Sequence, residues 1–280
     1  MQIYYKKEDL IEYLEIQRKH NKTIGFVPTM GALHRGHVSL VDLSSKLCDI
    51  SVVSVFVNPN QFNDSSDLKN YPRDIDSDLE LLAERCTVVF IPSVEEIYPE
   101  PDTRVFDFDG IDKVMEGEHR PGHFNGVAQV VSKLFDIVKP HKAIFGQKDF
   151  QQVAIIKKMV EKLNFSIEII SAPIIRETDG LAMSSRNRLL EKKYREIACE
   201  IFNTISESKN QKDFLNVKEL KSWVNQQINK TELLKLEYFE IVDHRTLLPI
   251  ESFDSSKNAI ACIAVWAGKV RLIDNIIYNS

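Results

Sequence analysis

The chain has 280 residues, 43% of them hydrophobic and 28% charged, with a net charge of −5. Values this close to globular averages exclude wholesale disorder, and ten Gly and ten Pro exclude collagen-like and low-complexity classes. The length suits one large domain or two modest ones, with enough core to fold without disulfides, and the acidic balance argues against a surface that grips nucleic acid as a whole.

In chain order, residues 8–20 read as an amphipathic helix, with Leu10, Ile11 and Leu14 on one side and Ile16 as a further candidate. Residues 23–27 read as a short buried strand ended by Pro28. A helix over 36–47 follows, with Val38, Leu40, Val41 and Leu43 apolar. The β-branched, nearly continuous run 49–57 has the pattern of a strand covered on both faces. A polar stretch at 58–71 precedes a helix over 74–85 and a strand over 87–91. Then come a helix at 126–138, a strand at 143–145, a helix at 150–163 and a strand at 167–170. Strands alternating with helices imply β-α-β units and an α/β, Rossmann-like, doubly wound parallel sheet. Beyond residue 175 the rhythm changes: helices near 192–208 and 217–229, then strands near 236–242, 259–265 and 270–276. This predicts a Rossmann-like domain at 1–175 and a smaller α+β domain at 176–280, with no internal repeat.

Cys48, Cys86, Cys199 and Cys262 are scattered, with no CxxC spacing. Each lies in or beside an apolar run and is expected as a buried free thiol. The first seven residues lack the order of a signal peptide, and no 18-residue apolar run predicts a membrane span. The expectation is a soluble cytoplasmic protein.

The residues suited to chemistry fall where strands end, which is where ligands bind in open parallel sheets. In Pro28-Thr29-Met30-Gly31-Ala32-Leu33-His34-Arg35-Gly36-His37, glycines permit close backbone approach and a helix N-terminus offers N–H groups to an anion. His34 and His37 share a face, able to donate to phosphate oxygens as charge builds. The spacing also suits a surface pair or a metal, but no third ligand is apparent. Asn58 and Gln61, in Asn58-Pro59-Asn60-Gln61, are uncharged donors and acceptors suited to a hydroxylated or carboxylate substrate, or to a polar turn. Gly146-Gln147-Lys148-Asp149 precedes a helix that carries Gln152. Lys148 could place a cation on a phosphate, and Asp149 could cap the helix or serve a ribose hydroxyl. Met183-Ser184-Ser185-Arg186, after Arg176 and Gly180, combines two hydroxyls and a guanidinium in a phosphate clamp, or forms a bland Ser-rich helix start.

The His-x-Gly-His order resembles the nucleotidyltransferase superfamily, and Met183-Ser184-Ser185-Arg186 looks like a variant of its second phosphate clamp. With Tyr71-Pro72-Arg73 and Arg120-Pro121-Gly122-His123-Phe124, the motifs stand in the order and spacing of the pantothenate synthetase (pantoate–β-alanine ligase) family, over about residues 1–190.

That resemblance implies a two-step ligation: ATP adenylates (R)-pantoate, releasing pyrophosphate, and β-alanine attacks the acyl adenylate, giving pantothenate and AMP. It implies ATP contacts at Met30, Gly31, Ala32, Leu33, His34, Arg35, Gly36, His37, Gly146, Gln147, Lys148, Asp149, Ile175, Met183, Ser184, Ser185 and Arg186. His37 takes the proton donor's position. His34, Lys148 and Arg186 join it as catalytic candidates, and Lys148, Ser184, Ser185 and Arg186 would hold the phosphates. Gln61 and Gln152 match the pantoate-binding amides; Gln61 and Asn58 are candidates for pantoate or β-alanine. Asp78 is a weaker candidate for assisting Mg²⁺, which the triphosphate itself should mainly bind. The resemblance also suggests a homodimer. Many relatives read Glu where this chain has Gln147, which puts an essential carboxylate at 147 in doubt but not Lys148. Other readings are a nucleotide transferase of the same superfamily, which would lack the paired glutamines, and a binding protein that has lost catalysis. An RNA-binding synthetase-like protein is disfavoured, since the chain is acidic and shows no anticodon module.

Overall fold

In the computed structural model, which describes residues 1–62 and 65–278, the first half of the chain alternates strand and helix as its apolar runs require. The elements are β1 (Gln2–Tyr4), α1 (Lys7–Lys19), β2 (Ile24–Thr29), α2 (Arg35–Leu47), β3 (Ile50–Val55), α3 (Ser65–Asn70), α4 (Ile75–Leu82), β4 (Val88–Phe90), α5 (Val94–Ile97), α6 (Glu116–His119), α7 (His123–Val138), β5 (Lys142–Gly146), α8 (Phe150–Lys162) and β6 (Glu168–Ala172). The second half gives α9 (Lys192–Ile197), α10 (Glu200–Gln211), α11 (Val217–Ile228), β7 (Leu234–Asp243), β8 (Ala259–Ala267) and β9 (Val270–Ile277). Two compact units result, Met1–Gln147 with Gln152–Pro173, and Lys148–Gln151 with Ile174–Ser280.

The first unit is built on a six-stranded sheet in the order β1-β4-β3-β2-β5-β6, with parallel pairings throughout. Its strands are apolar on both faces because each face carries its own core. Phe26, Val52, Val88 and Phe90 meet Leu10 and Leu14 of α1, the apolar stripe of α7, and Ile155 and Ile156 of α8. Their strand neighbours Val27, Val53 and Val89 meet Leu40 and Val41 of α2 and Leu82 of α4. Period-2 alternation sends successive residues to opposite faces, so the doubly wound architecture follows directly from the near-continuous apolar runs.

Several expectations need correcting. β2 does not end at Pro28 but runs through it to Thr29. Its register with β5 stops at Phe26, so the missing N–H of Pro28 falls where β2 has only β3 beside it. Ile16 is 45% exposed and leaves the stripe formed by Leu10 and Leu14. The polar stretch at 58–71 contains a 3-10 turn (Pro59–Gln61) and α3; residues 63 and 64 lie outside the described ones. The helix expected to start at 126 starts at His123, after Gly122 in a left-handed conformation (φ +81°). All four cysteines are free, and Cys48, Cys86 and Cys262 are buried, whereas Cys199 is half-buried.

The second unit packs α10 and α11 against an antiparallel sheet in the order β7-β8-β9, its core including Ile201, Ile205, Leu220, Val224, Ile241, Ile263 and Val265. The single helix expected at 192–208 is two, α9 and α10, separated at Ala198 and Cys199. Among the described residues no helix is long and apolar enough to cross a membrane.

Candidate active site

In the first unit β2 and β5 are neighbours, but the chain leaves β2 toward β3 on one side and β5 toward β6 on the other. The crevice outside their carboxyl ends is the topological switch point, where ligands bind in open parallel sheets. The loop 30–33 and His34 lie after β2, and Gly146 and Gln147 close β5.

The loop turns through two consecutive residues of positive φ, Gly31 (+79°) and Ala32 (+49°). The second is unfavourable for a residue with a Cβ and persists only where its surroundings over-determine it. Asp78 supplies that constraint. Its side chain is 2% exposed, and its carboxylate accepts the Ala32 N–H at 2.9 Å on Oδ2 and the Leu33 N–H at 2.6 Å on Oδ1. A Cβ on Gly31 would stand 2.9 Å from Asp78 Oδ2 and 3.1 Å from Val55, so glycine is required on both counts. Asp78, the candidate for assisting Mg²⁺, is seen here holding the loop. Both oxygens are engaged by backbone amides, and among the described residues no group of three or more His, Cys, Asp or Glu is arranged to hold a metal ion.

His34 is the N-cap of α2 and His37 its third residue, and the two form a reciprocal capping box. His34 Nδ1 accepts the Gly36 N–H at 3.1 Å, and His37 Nδ1 accepts the His34 N–H at 3.3 Å. A ring nitrogen that accepts carries no proton, so both neutral imidazoles hold theirs on Nε2. The rings lie 4.1 Å apart, centroid to centroid. The expectation that the helix N-terminus offers free amides is modified: Ala32, Leu33, His34 and Gly36 N–H groups are committed to side chains, and those of His37 and Val38 to the His34 carbonyl. Each imidazole thus carries its proton on Nε2, at the end of the helix where the dipole favours negative charge.

The loop after β3 carries the amides. Asn58 is 1% exposed and uses its side chain entirely within the protein. Nδ2 donates to the Gly126 carbonyl at 3.0 Å and to Gln61 Oε1 at 3.3 Å, and Oδ1 accepts from the Asn60 N–H at 3.3 Å and Tyr98 OH at 2.9 Å. These contacts bracket the turn. Gln61 Nε2 donates to Met30 Sδ at 2.7 Å, and a thioether is a weak acceptor that a carboxylate or hydroxyl would replace. A Cβ on Gly126 would overlap the Asn60 carbonyl oxygen, so α7 reaches the turn only because this residue is glycine.

His123 belongs to the Arg120–Phe124 motif, but the sequence pattern suggests no role for it; it is buried behind Gln61. Its Nδ1 lies 2.8 Å from the Gln61 carbonyl, which can only accept, and its Nε2 lies 3.1 Å from Arg120 Nη1, which can only donate. Those partners fix the opposite tautomer, Nδ1–H. Gln152 sits, partly exposed, in the first turn of α8.

In the second unit Lys148 Nζ lies 3.8 Å from Asp149 Oδ1, with the lysine side chain 19% exposed. Ile175 and Met183 close a hairpin, the Met183 N–H donating to the Ile175 carbonyl at 3.0 Å. The hairpin leads into a 3-10 turn (Ser185–Leu189) capped by Ser184, whose Oγ accepts the Arg186 N–H at 3.3 Å. Ser185 is buried. The segment that offered either a phosphate clamp or a Ser-rich helix start thus forms one short 3-10 turn.

A doubly wound parallel sheet with a histidine-capped helix at its switch point places the chain among α/β proteins of the ligand-at-strand-ends type. More particularly, the chain belongs to the pantoate-beta-alanine ligase family, whose model matches residues 2–277. It is 52% identical over 280 residues to the pantothenate synthetase of Porphyromonas gingivalis, covering 100% of both chains. Among solved structures it is similar to the pantothenate synthetase of Thermus thermophilus, with a TM-score of 0.93, 37% identity and 100% of both chains covered. It also matches the pantoate-beta-alanine ligase of Francisella tularensis, solved in complex with beta-gamma ATP and beta-alanine, with a TM-score of 0.83 and 36% identity over 99% of this chain and 98% of that one.

Proposed function

We propose that the chain uses ATP to join (R)-pantoate to β-alanine, through a pantoyl adenylate. The observation that carries this reading is the mutual cap of His34 and His37, which aims two Nε2–H donors away from the helix they cap. A carboxylate oxygen of pantoate attacks the α-phosphorus of ATP, the bond to the β-phosphate oxygen breaks, and pyrophosphate leaves. The β-alanine amine, having lost a proton, then attacks the acyl carbon, and the bond to AMP breaks. Adenylation is needed because a carboxylate has no adequate leaving group, whereas AMP is one.

His34 and His37 donate to phosphate oxygens as charge builds on them, a contribution that rises in the transition state; His37 is the proton donor. Gln61 and Gln152 receive pantoate, the Gln61 amide exchanging Met30 Sδ for a substrate oxygen. Lys148, Ser184, Ser185 and Arg186 hold the phosphates, and Gly146, Gln147, Asp149, Ile175 and Met183 line the nucleotide. Mg²⁺ accompanies the triphosphate of ATP. Among the described residues no group of three or more His, Cys, Asp or Glu is arranged to hold it. Asp78 and Asn58 act by holding the loops. A cytoplasmic homodimer is the form that goes with this reading.

The decisive experiment is rapid-quench measurement of pyrophosphate with ATP and pantoate, with and without β-alanine. The reading expects a burst of about one pyrophosphate per active site without β-alanine, then AMP and pantothenate together once β-alanine is added. No pyrophosphate before β-alanine arrives would replace the stepwise scheme by a concerted one.

A further inference from the structure

Two adjacent polar residues, Asp274 and Asn275, are buried in the middle of β9, in the apolar-flanked run Leu272-Ile273-Asp274-Asn275-Ile276-Ile277. In the register of the sheet they stand opposite Ile263 and Cys262 of β8. A carboxylate in such a place costs several kcal/mol unless it is fully paired, and an apolar pair there would stabilise the fold at least as well. Side chains of successive strand residues point to opposite faces, so the two reach different segments.

Asp274 accepts Arg176 Nη1 on Oδ2 at 2.6 Å and Arg176 Nη2 on Oδ1 at 3.0 Å, a bidentate pair, with the Asn275 N–H on Oδ1 at 2.8 Å. Burial pushes this carboxyl up, and the Arg176 guanidinium pulls it back. Arg176 is fixed on its other sides as well. Its guanidinium lies 3.9 Å over the Phe202 ring, and Nη1 donates to the Gly180 carbonyl at 3.1 Å. Gly180, at φ +93°, turns the hairpin that runs from Ile175 to Met183. Asp274 thus anchors, through Arg176, the hairpin whose end delivers Ser184, Ser185 and Arg186. Asn275 Nδ2 donates to the Lys148 carbonyl at 3.0 Å and so anchors the backbone of the lysine.

We infer that Asp274 and Asn275 are positioning residues that register the Lys148 segment and the Ser184–Arg186 turn against one strand, so that the two form a single anion-holding arrangement. The inference deepens the proposed function and rests on its assignment of both segments to the ATP phosphates. Neither residue touches substrate. Small displacements of groups that hold a reactant can cost about 100-fold, and hydrogen bonds from one rigid strand prevent them.

The test compares Asn275→Ala, Asn275→Asp, Asp274→Asn and Lys148→Ala for kcat, KM for ATP, KM for pantoate and thermal midpoint. Asn275→Asp keeps the shape but sets an acceptor against the Lys148 carbonyl. Expected is a loss of about 10- to 100-fold in kcat/KM for ATP in both Asn275 variants, with KM for pantoate within about twofold and Asp the worse of the two. Asn275 variants that keep wild-type ATP parameters while Lys148→Ala loses them would overturn the inference and leave the proposed function standing. If Lys148→Ala itself keeps wild-type ATP parameters, the phosphate assignment fails first. An equal loss in ATP and pantoate parameters that tracks a lowered thermal midpoint would show a structural role only. Should Asp274→Asn not fold, the Asn275 pair still decides.

Discussion

His34 and His37 together close the N-terminus of α2: the backbone N–H of His34 is held by the ring of His37, and the ring of His34 holds the N–H of Gly36. The same contacts that close the helix therefore choose which nitrogen of each ring bears the proton. Structure and chemistry can be separated here by substitution. His37→Asn places an amide oxygen near the Nδ1 position and can keep the cap, but it cannot donate from the Nε2 position. His37→Gln does the reverse. The expected outcome is wild-type stability with about 10²–10³-fold lower adenylation for Asn, and partial activity with about 1 kcal/mol lower stability for Gln. Pantoate-dependent exchange of labelled pyrophosphate into ATP, alongside denaturant unfolding, reads both. Equal activity in the two variants would contradict the tautomer assignment.

Asp78 offers a second separation. If its carboxylate serves the backbone of Ala32 and Leu33 and not a metal, Asp78→Asn turns an NH₂ toward one of those amides. It should then lower kcat/KM by about 10- to 100-fold through misplacement of the loop. The dependence of rate on Mg²⁺ concentration should keep its wild-type midpoint. A variant restored by excess Mg²⁺ would make Asp78 a metal residue after all.

Gly126→Ala tests the bracket behind Gln61. The added methyl meets backbone, which cannot rotate away as a side chain can. A cost of about 1–3 kcal/mol in the first unit is expected, with KM for pantoate raised more than KM for ATP. Wild-type pantoate affinity in a folded variant would detach the turn at Asn58–Gln61 from pantoate binding.

The second unit has its own pH-sensitive contact. The Asp243 carboxylate accepts Ser256 Oγ at 2.7 Å and the N–H groups of Thr246 and Arg245 at 3.0 and 3.1 Å, closing the connection from β7 to β8. The Ser256 hydroxyl, more than the amides, lowers its carboxyl from 3.8 to about 2. The stabilisation is complete above the unfolded value near 3.8 and is lost as pH falls through about 2. Discounted for solvent screening, it is on the order of 1 kcal/mol. The stability advantage of the protein over Asp243→Asn should hold from about pH 7 to 5 and shrink toward about pH 2 in urea titrations; a gap independent of pH would remove the assignment.

What the sequence discloses and what it hides follow from range. β3 and α2 are readable because their apolar period is local, and His34 and His37 because their capping partners lie within three residues. β1 is three residues long and pairs with β4 at the edge of the sheet, so Gln2–Tyr4 carries too little pattern to announce a strand. The start of α7 is obscured by Pro121 and Gly122, which read as a turn but serve as its entry. The duties of Asp78 and Asn58 are invisible locally, because their partners lie 45 and 68 residues away at Leu33 and Gly126. Asp274 and Asn275 did leave a signal: an acid and an amide inside the apolar run from Leu272 to Ile277 are polar groups in need of partners.

The excursion of Lys148–Gln151 into the second unit has a consequence for how this molecule can be cut and joined. The chain passes between units three times, after Gln147, after Gln151 and after Pro173. A fragment begun at Ile174 would carry Asn275 but not the carbonyl it binds, and a fragment ended at Pro173 would keep Lys148 without its strand. Truncation, fusion or exchange of the C-terminal unit at one junction would therefore divide a hydrogen-bonded neighbourhood, even though the boundary looks like a simple break in the sequence. Relatives can exchange this unit intact only if the four residues from Lys148 to Gln151 travel with it.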